Sequence, residues 1–129
     1  MNPRRHALRS LHWATLLAMA AFASVSLAGD ALNGEVQYKA RCAVCHSIDF
    51  NGVGPAHKGV FGRKAAQAKG YTYSPALNSA SLTWNEATLD RWLTDPEKLV
   101  PGQKMGTVVD DATTRADLIA YLKKFSATK

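Results

Sequence analysis

Hydrophobic positions fall into separate groups along the chain, divided by polar and glycine-rich stretches. Residues 11–27 carry no charge and are rich in Ala and Leu. From Asp30 to about Val44, the positions Val36, Tyr38, Ala40 and Val44 supply apolar surface, and Asp30 or Asn33 can cap the first turn, which predicts a helix. Gly34 inside it costs about 1 kcal/mol against Ala. Close approach of another helix would account for it, and a frayed first turn is the alternative. From Ser47 to Arg63 no period survives Gly52, Gly54, Pro55, Gly59 and Gly62, which reads as a loop. Ala65 to Ala80 is short and irregular, with Tyr71, Tyr73 and Pro75. Thr83-Trp84-Asn85-Glu86 has the form of a capping box, a threonine cap with glutamate three residues on. It opens a helix from Glu86 to about Thr94, with Leu89, Trp92 and Leu93 on one face. Asp95-Pro96 stops that helix. Pro101 to Gly106 reads as a second loop. Asp110 and Asp111 open a last helix that ends near Phe125. Leu118, Leu122 and Phe125 form its stripe, joined by Ile119 and Tyr121. Aspartates at its start and Lys123-Lys124 at its end suit the helix dipole. No segment alternates as a strand does, so the predicted class is all-α with long loops.

The first group differs from the rest. Arg4, Arg5 and Arg9 precede the uncharged run, and Ser26-Leu27-Ala28 ends it with small residues at the positions that signal cleavage requires. Residues 1–28 read as a cleaved export signal, and residues 29–129 as one mature domain. A retained anchor is the alternative, although a run of about 17 residues diluted by Ser and Thr is marginal for spanning. After cleavage, no membrane insertion is expected of the mature chain.

Charge adds little to this picture. The chain holds 16 Lys+Arg against 10 Asp+Glu. Three of the basic residues sit in the first segment with no acid, so the rest is only mildly basic. No basic run exceeds Lys123-Lys124 and no aromatic–basic interleaving occurs, which argues against a nucleic-acid partner.

The chemistry is concentrated in Cys42-Ala43-Val44-Cys45-His46, the attachment signature of c-type haem. Two thiols three residues apart reach one face through a single helical turn, where each can add to a porphyrin vinyl group. His46 then lies under the ring, in reach of iron. A redox disulfide would need a preceding strand, and none is predicted. A zinc site would need two more ligands at short spacing. The chain has only these two cysteines, and its other histidines are His6, His12 and His57. One covalent haem c is therefore expected. A domain of about 100 residues buries a limited core. With both cysteines engaged no disulfide is available, so the porphyrin becomes the centre of that core and the apo chain is expected to be largely disordered.

The axial ligands follow in part from the residues. A ligating imidazole usually gives its second ring N–H to a carbonyl. Pro55, nine residues beyond His46, offers one, with a plain turn as the alternative. The second axial position is open or filled by Met, His or Lys. Met1 and Met19 leave with the signal, which singles out Met105, in a polar loop with no evident core role. A thioether opposite histidine suits electron transfer. A gap-filling surface methionine is the alternative. His57 is the rival ligand, but at eleven residues from His46 it falls more naturally on the same side of the ring.

The ordered set Cys42–His46, Gly54-Pro55, Phe61-Gly62-Arg63-Lys64, Tyr71-Thr72-Tyr73, Leu82-Thr83-Trp84, Pro101-Gly102-Gln103-Lys104-Met105 and Asp117–Lys124 resembles a class I cytochrome c. It is most similar to the mitochondrial-like branch and its bacterial periplasmic relatives. The resemblance runs from about Gly29 to Lys124. It implies a small fold in which the N- and C-terminal helices cross and long loops wrap one covalent haem. It implies that Pro55 accepts from His46, that Arg63, Tyr73 and Trp84 hold haem propionates, and that Gly34 and Tyr38 meet Leu118 and Tyr121 at the crossing. The chain departs from the family pattern at Leu77, Trp92 and Gln103, where Asn, Tyr and Thr usually build a polar network beside the methionine. His57 stands where an apolar haem-packing residue is usual, and Thr107 where the mitochondrial branch has an aromatic.

The expected function is a soluble periplasmic one-electron carrier with His46 and Met105 as iron ligands. It is not expected to be an enzyme. Its partners would be reductase- and oxidase-type complexes, met transiently and electrostatically by a monomer. Arg41, Lys58, Lys98 and Lys104 are candidates to surround the exposed haem edge, with Glu97 diluting the patch; an ordinary solvated surface is the alternative. A haem subunit of a dehydrogenase complex, and a ligand-binding or peroxidatic haem protein, are the competing readings.

Overall fold

A computed structural model describes residues 28–126 of the chain. The expected export segment, residues 1–28, lies outside the described residues except for Ala28. The described part is helical: α1 Ala31–Arg41, α2 Pro75–Ser79, α3 Glu86–Thr94, α4 Pro96–Leu99 and α5 Ala112–Lys123. No helix among them is long and apolar enough to cross a membrane.

The core is organised by α1 crossing α5. Gly34 is what permits the approach. A Cβ built there would lie 2.0 Å from the Asp117 carbonyl oxygen and 2.9 Å from Tyr121 Cβ. Tyr38, one turn on, is buried against the same face, with its ring 5.2 Å from that of Tyr121. Leu118 is the most deeply enclosed core residue among the described residues, at 1 % exposure. Close packing, not a frayed turn, explains Gly34.

Buried Asp117 adds a polar tie to the crossing. Its Oδ1 accepts from the Asp30 backbone N–H at 2.6 Å, and its Oδ2 from Asn33 Nδ2 at 2.5 Å. Asp30 meanwhile caps α1 through the Leu32 amide at 2.8 Å. So the carboxylate of α5 secures the first turn of α1, where the positive end of the helix dipole favours it.

Several boundaries differ from expectation. α1 ends at Arg41, not near Val44, because the chain tightens into turns over Cys42–Cys45. Val36 and Val44 are exposed and supply no core surface. The cap of α3 is Asn85 with Thr88, not Thr83 with Glu86. Asn85 Oδ1 accepts from the Thr88 amide at 3.0 Å and Thr88 Oγ1 accepts from the Asn85 amide at 2.8 Å. Thr83 and Trp84 are held extended instead: Lys64 pairs antiparallel with Thr83, and the Trp84 amide and carbonyl bond to Arg63 and Gly62. Two short helices were not expected. Ser74 caps α2 and Asp95 caps α4, each with proline in the first turn. Asp95-Pro96, which ends α3, starts α4 with the same two residues, because proline lacks only an amide that the first turn leaves unbonded.

α3 is fixed to α5 by Arg115. Its Nε meets Asp90 Oδ1 at 2.7 Å, and its Nη1 donates to the carbonyls of Val109 and Asp110. This tie carries the segment 100–109 from α4 past the site to α5, with the Val109 amide bonded to the Leu93 carbonyl at 2.7 Å.

Candidate haem site

Between these helices and the loops lies a cavity of about 320 Å³. That is the scale of a buried cofactor cleft. The residues expected to bind the haem all line it: Cys42, Cys45, His46, Pro55, Arg63, Tyr73, Trp84 and Met105. These residues come from five parts of the chain, so the fold, not local sequence, brings them together.

The turn after α1 sets the first group. The amides of Cys45 and His46 both bond to the Cys42 carbonyl, at 3.1 and 2.9 Å. This one turn delivers both cysteines and the histidine to the cavity. The cysteines are free thiols, not a disulfide. Burial pushes the Cys42 thiol up to about 11.

His46 Nδ1 lies 2.8 Å from the Pro55 carbonyl oxygen. The carbonyl has no proton, so Nδ1 donates and Nε2 is left with its lone pair. Burial keeps the imidazole pKa below its usual value, against the opposing pull of the Pro55 carbonyl. A neutral ring with a free Nε2 is the form that binds a metal. One face of the ring is closed by Gly54, where a Cβ would come within 2.2 Å of Cε1. The other is covered by His57, stacked at 4.1 Å between centroids.

His57 therefore sits on the same side as His46. Tyr38 Oη lies 3.0 Å from its Nδ1. Burial, then the neighbouring His46 and Arg63, push its pKa down to about 3, so it is neutral at physiological pH.

Arg63 closes the loop below. Its Nη1 and Nη2 donate to the carbonyls of Lys58 and Ala56, at 2.9 and 3.2 Å. Its Nε is buried with no partner. An orphaned charged donor is costly unless something anionic meets it. Tyr73 Oη accepts from the Ala68 amide at 3.1 Å, which leaves its own proton to donate. Trp84 stands nearby, edge-on to Trp92 at 5.2 Å.

Met105 reaches the cavity from the 100–109 segment and is partly buried against the core. Leu77, Trp92 and Gln103, where the chain departs from the expected polar network, all line the cavity too. Of the four basic residues proposed for the rim, Arg41 and Lys104 line it. Lys58 and Lys98 do not, and Lys58 is paired instead with Asp49, at 3.3 Å.

The donor set fits a covalent haem. It combines two free thiols in one turn, an imidazole with Nε2 available, a thioether, and an unpartnered guanidinium N–H in one apolar cleft. The family model for cytochrome c matches residues 31–126.

The chain belongs to the cytochrome c family.

Among its relatives in that family, it is 43% identical over 104 residues to a cytochrome c2 of Rhodomicrobium vannielii, covering 78% of this chain and 82% of the relative. It is 40% identical over 116 residues to a cytochrome c2 of Blastochloris viridis, covering 87% and 91%. Among solved structures, cytochrome cH from Methylobacterium extorquens superposes with a TM-score of 0.72 at 48% identity, covering 74% of this chain and 99% of that one. As a cytochrome c, the protein is an electron carrier whose cofactor is covalent haem c, and Cys42 and Cys45 hold the attachment spacing.

Sequence reasoning missed three contributors. Asp117 was read as part of a matching stretch, not as a cap for α1. Gly54 was read with Pro55, not as a wall of the His46 ring. The Tyr38–His57 bond joins residues 19 apart that no local signal connects.

Proposed function

We propose that the protein shuttles single electrons between redox partners with the iron held by His46 Nε2 and the Met105 sulfur. The observation that carries this is the His46–Pro55 bond, which fixes the tautomer that a metal needs. Haem c supplies, when bound, a one-electron Fe(III)/Fe(II) couple. The rest is done by the chain. Cys42 and Cys45 tether the ring. Pro55, Gly54 and His57 hold the His46 imidazole in one orientation. Met105, the thioether in the cavity lining, would supply the second protein ligand to the iron and so leave no open site for a substrate. Arg63 Nε, Tyr73 Oη and Trp84 are the donors for the propionates. The apolar walls from Leu89, Leu93, Leu118 and Leu122 exclude water, which limits reorganisation when the charge changes.

Residues 1–28 direct the chain to the periplasm and are removed after Ala28. Arg4, Arg5, Arg9 and the uncharged run 11–27 support this. Exposed Arg41 and Lys104 at the cavity rim steer the carrier to acidic patches on reductase- and oxidase-type partners. The monomer meets them transiently.

The test is a reductive titration followed by exposure of the reduced protein to carbon monoxide. A reversible one-electron couple with negligible carbon monoxide uptake is expected. Rapid uptake would overturn the closed-iron reading and favour a ligand-binding haem protein. Mass measurement of the periplasmic protein tests the cut after Ala28.

A further inference from the structure

The segment carrying Met105 has few restraints of its own. Its backbone anchors lie at its ends, where the Gln103 amide bonds to the Val100 carbonyl at 3.2 Å and the Val109 amide to the Leu93 carbonyl at 2.7 Å. Between Lys104 and Val108, Met105 has the only amide with a hydrogen bond among the described residues. The acceptor is the Gln103 side-chain carbonyl.

Gln103 is itself held. Its Nε2 donates to Glu97 Oε2 at 3.3 Å, and Glu97 Oε1 accepts from the Gly102 amide at 2.8 Å. Gly102 takes φ +87°, in the left-handed region that glycine adopts freely. One carboxylate from α4 thus grips two successive loop residues, and the second passes the restraint to Met105. Glu97 does not line the cavity, whereas Gln103 does.

We propose that Glu97 and Gln103 form a clamp that positions Met105 and slows its displacement from the iron. Gln103 is the positioning residue and Glu97 its anchor. The proposal rests on Met105 being an axial ligand. The clamp restrains the backbone of the ligand, so it acts on how long the sulfur stays in place and leaves the His46 side untouched.

The experiment uses the oxidised holoprotein and four variants: Gln103→Ala, Gln103→Glu, Glu97→Gln, and the double variant Glu97→Gln/Gln103→Glu. Two quantities are read: the charge-transfer absorption of the thioether–iron(III) bond, and the rate at which added imidazole abolishes it. Gln103→Ala is expected to be displaced about five- to tenfold faster, the worth of one net hydrogen bond. Gln103→Glu sets two carboxylates against each other and is faster too. Glu97→Gln, a change on an exposed side chain, accelerates displacement in the same sense by less. The double variant returns close to the original rate, because the amide at position 97 donates to the carboxylate at 103, which still accepts from the Met105 amide. A merely structural role would not produce that rescue. If the unsubstituted protein shows the band while Gln103→Ala and Glu97→Gln are displaced at its rate, the clamp is overturned and Met105 ligation stands. If the unsubstituted protein shows no band, Met105 ligation falls and the clamp with it.

Discussion

The imidazole of His57 lies flat on that of His46, with the centroids 4.1 Å apart and the planes inclined by 20°. With Gly54 against the opposite face and Pro55 at Nδ1, the His46 ring has no free direction in which to turn. An apolar residue could fill the same space, but it could not bond to Tyr38. His57 therefore links the His46 side of the cavity to the crossing of α1 and α5.

His57 also makes folding sensitive to acid. The folded chain keeps it neutral down to about 3, whereas the unfolded chain protonates it near 6.5. Between those values the unfolded state binds more protons, so stability falls as pH drops through that window. Replacing His57 by Leu removes this contribution. Denaturant midpoints of the holoprotein between pH 7 and 4 should decline less steeply in His57→Leu than in the original. Parallel curves would contradict the assignment.

Gly34→Ala tests the helix crossing. The new Cβ meets the backbone carbonyl of Asp117, which cannot swing aside. Overpacking costs about 1–3 kcal/mol, and a clash with backbone puts this change at the upper end. Urea denaturation should show a lowered midpoint with an unchanged slope. A variant as stable as the original would mean that the crossing is looser than described.

Asp117→Ala addresses the same junction from α5. It leaves the Asp30 amide and the Asn33 side-chain amide without their acceptor. Hydrogen bonds to a charged group are each worth about 1.5–3 kcal/mol, so a loss of about 3 kcal/mol is expected after water recovers part of it. Double-mutant analysis with Asn33→Ala should show coupling between the two. Additive losses would separate them.

Arg63→Ala removes a positive charge from the cavity wall and a buried Nε donor that has no protein partner. On the proposed propionate role, the oxidised state loses less than the reduced one, and the potential falls by tens of millivolts. The carbonyls of Ala56 and Lys58 also lose their partner, so the loop before α2 loosens. An unchanged potential would exclude Arg63 from the electrostatics of the site.

The helical skeleton and the residues of the cavity were legible in the sequence for different reasons. Attachment chemistry fixes the spacing of Cys42, Cys45 and His46, so local order alone reveals them. Leu118 and Leu122 repeat at helical spacing because one face of α5 is buried. The cap of α3 was misread because Thr83 satisfies the same pattern as Asn85, and only the pairing of residues 62–65 with 82–84 decides between them. α2 and α4 are too short for periodicity, and the Asp95-Pro96 start of α4 also reads as the stop of α3. Glu97 looked like a dilution of a basic patch. Its grip on Gly102 and Gln103 depends on where α4 aims it, which no spacing encodes.

The central claim is the proposed ligation, in which Met105 would hold the iron together with His46. The most direct measurement is the visible absorption of oxidised holoprotein and of Met105→Ala. The thioether–iron(III) charge-transfer band should be present in the original and absent in the variant, and the reduced variant should take up carbon monoxide. A band that survives in Met105→Ala, or is missing from the original, would contradict the account.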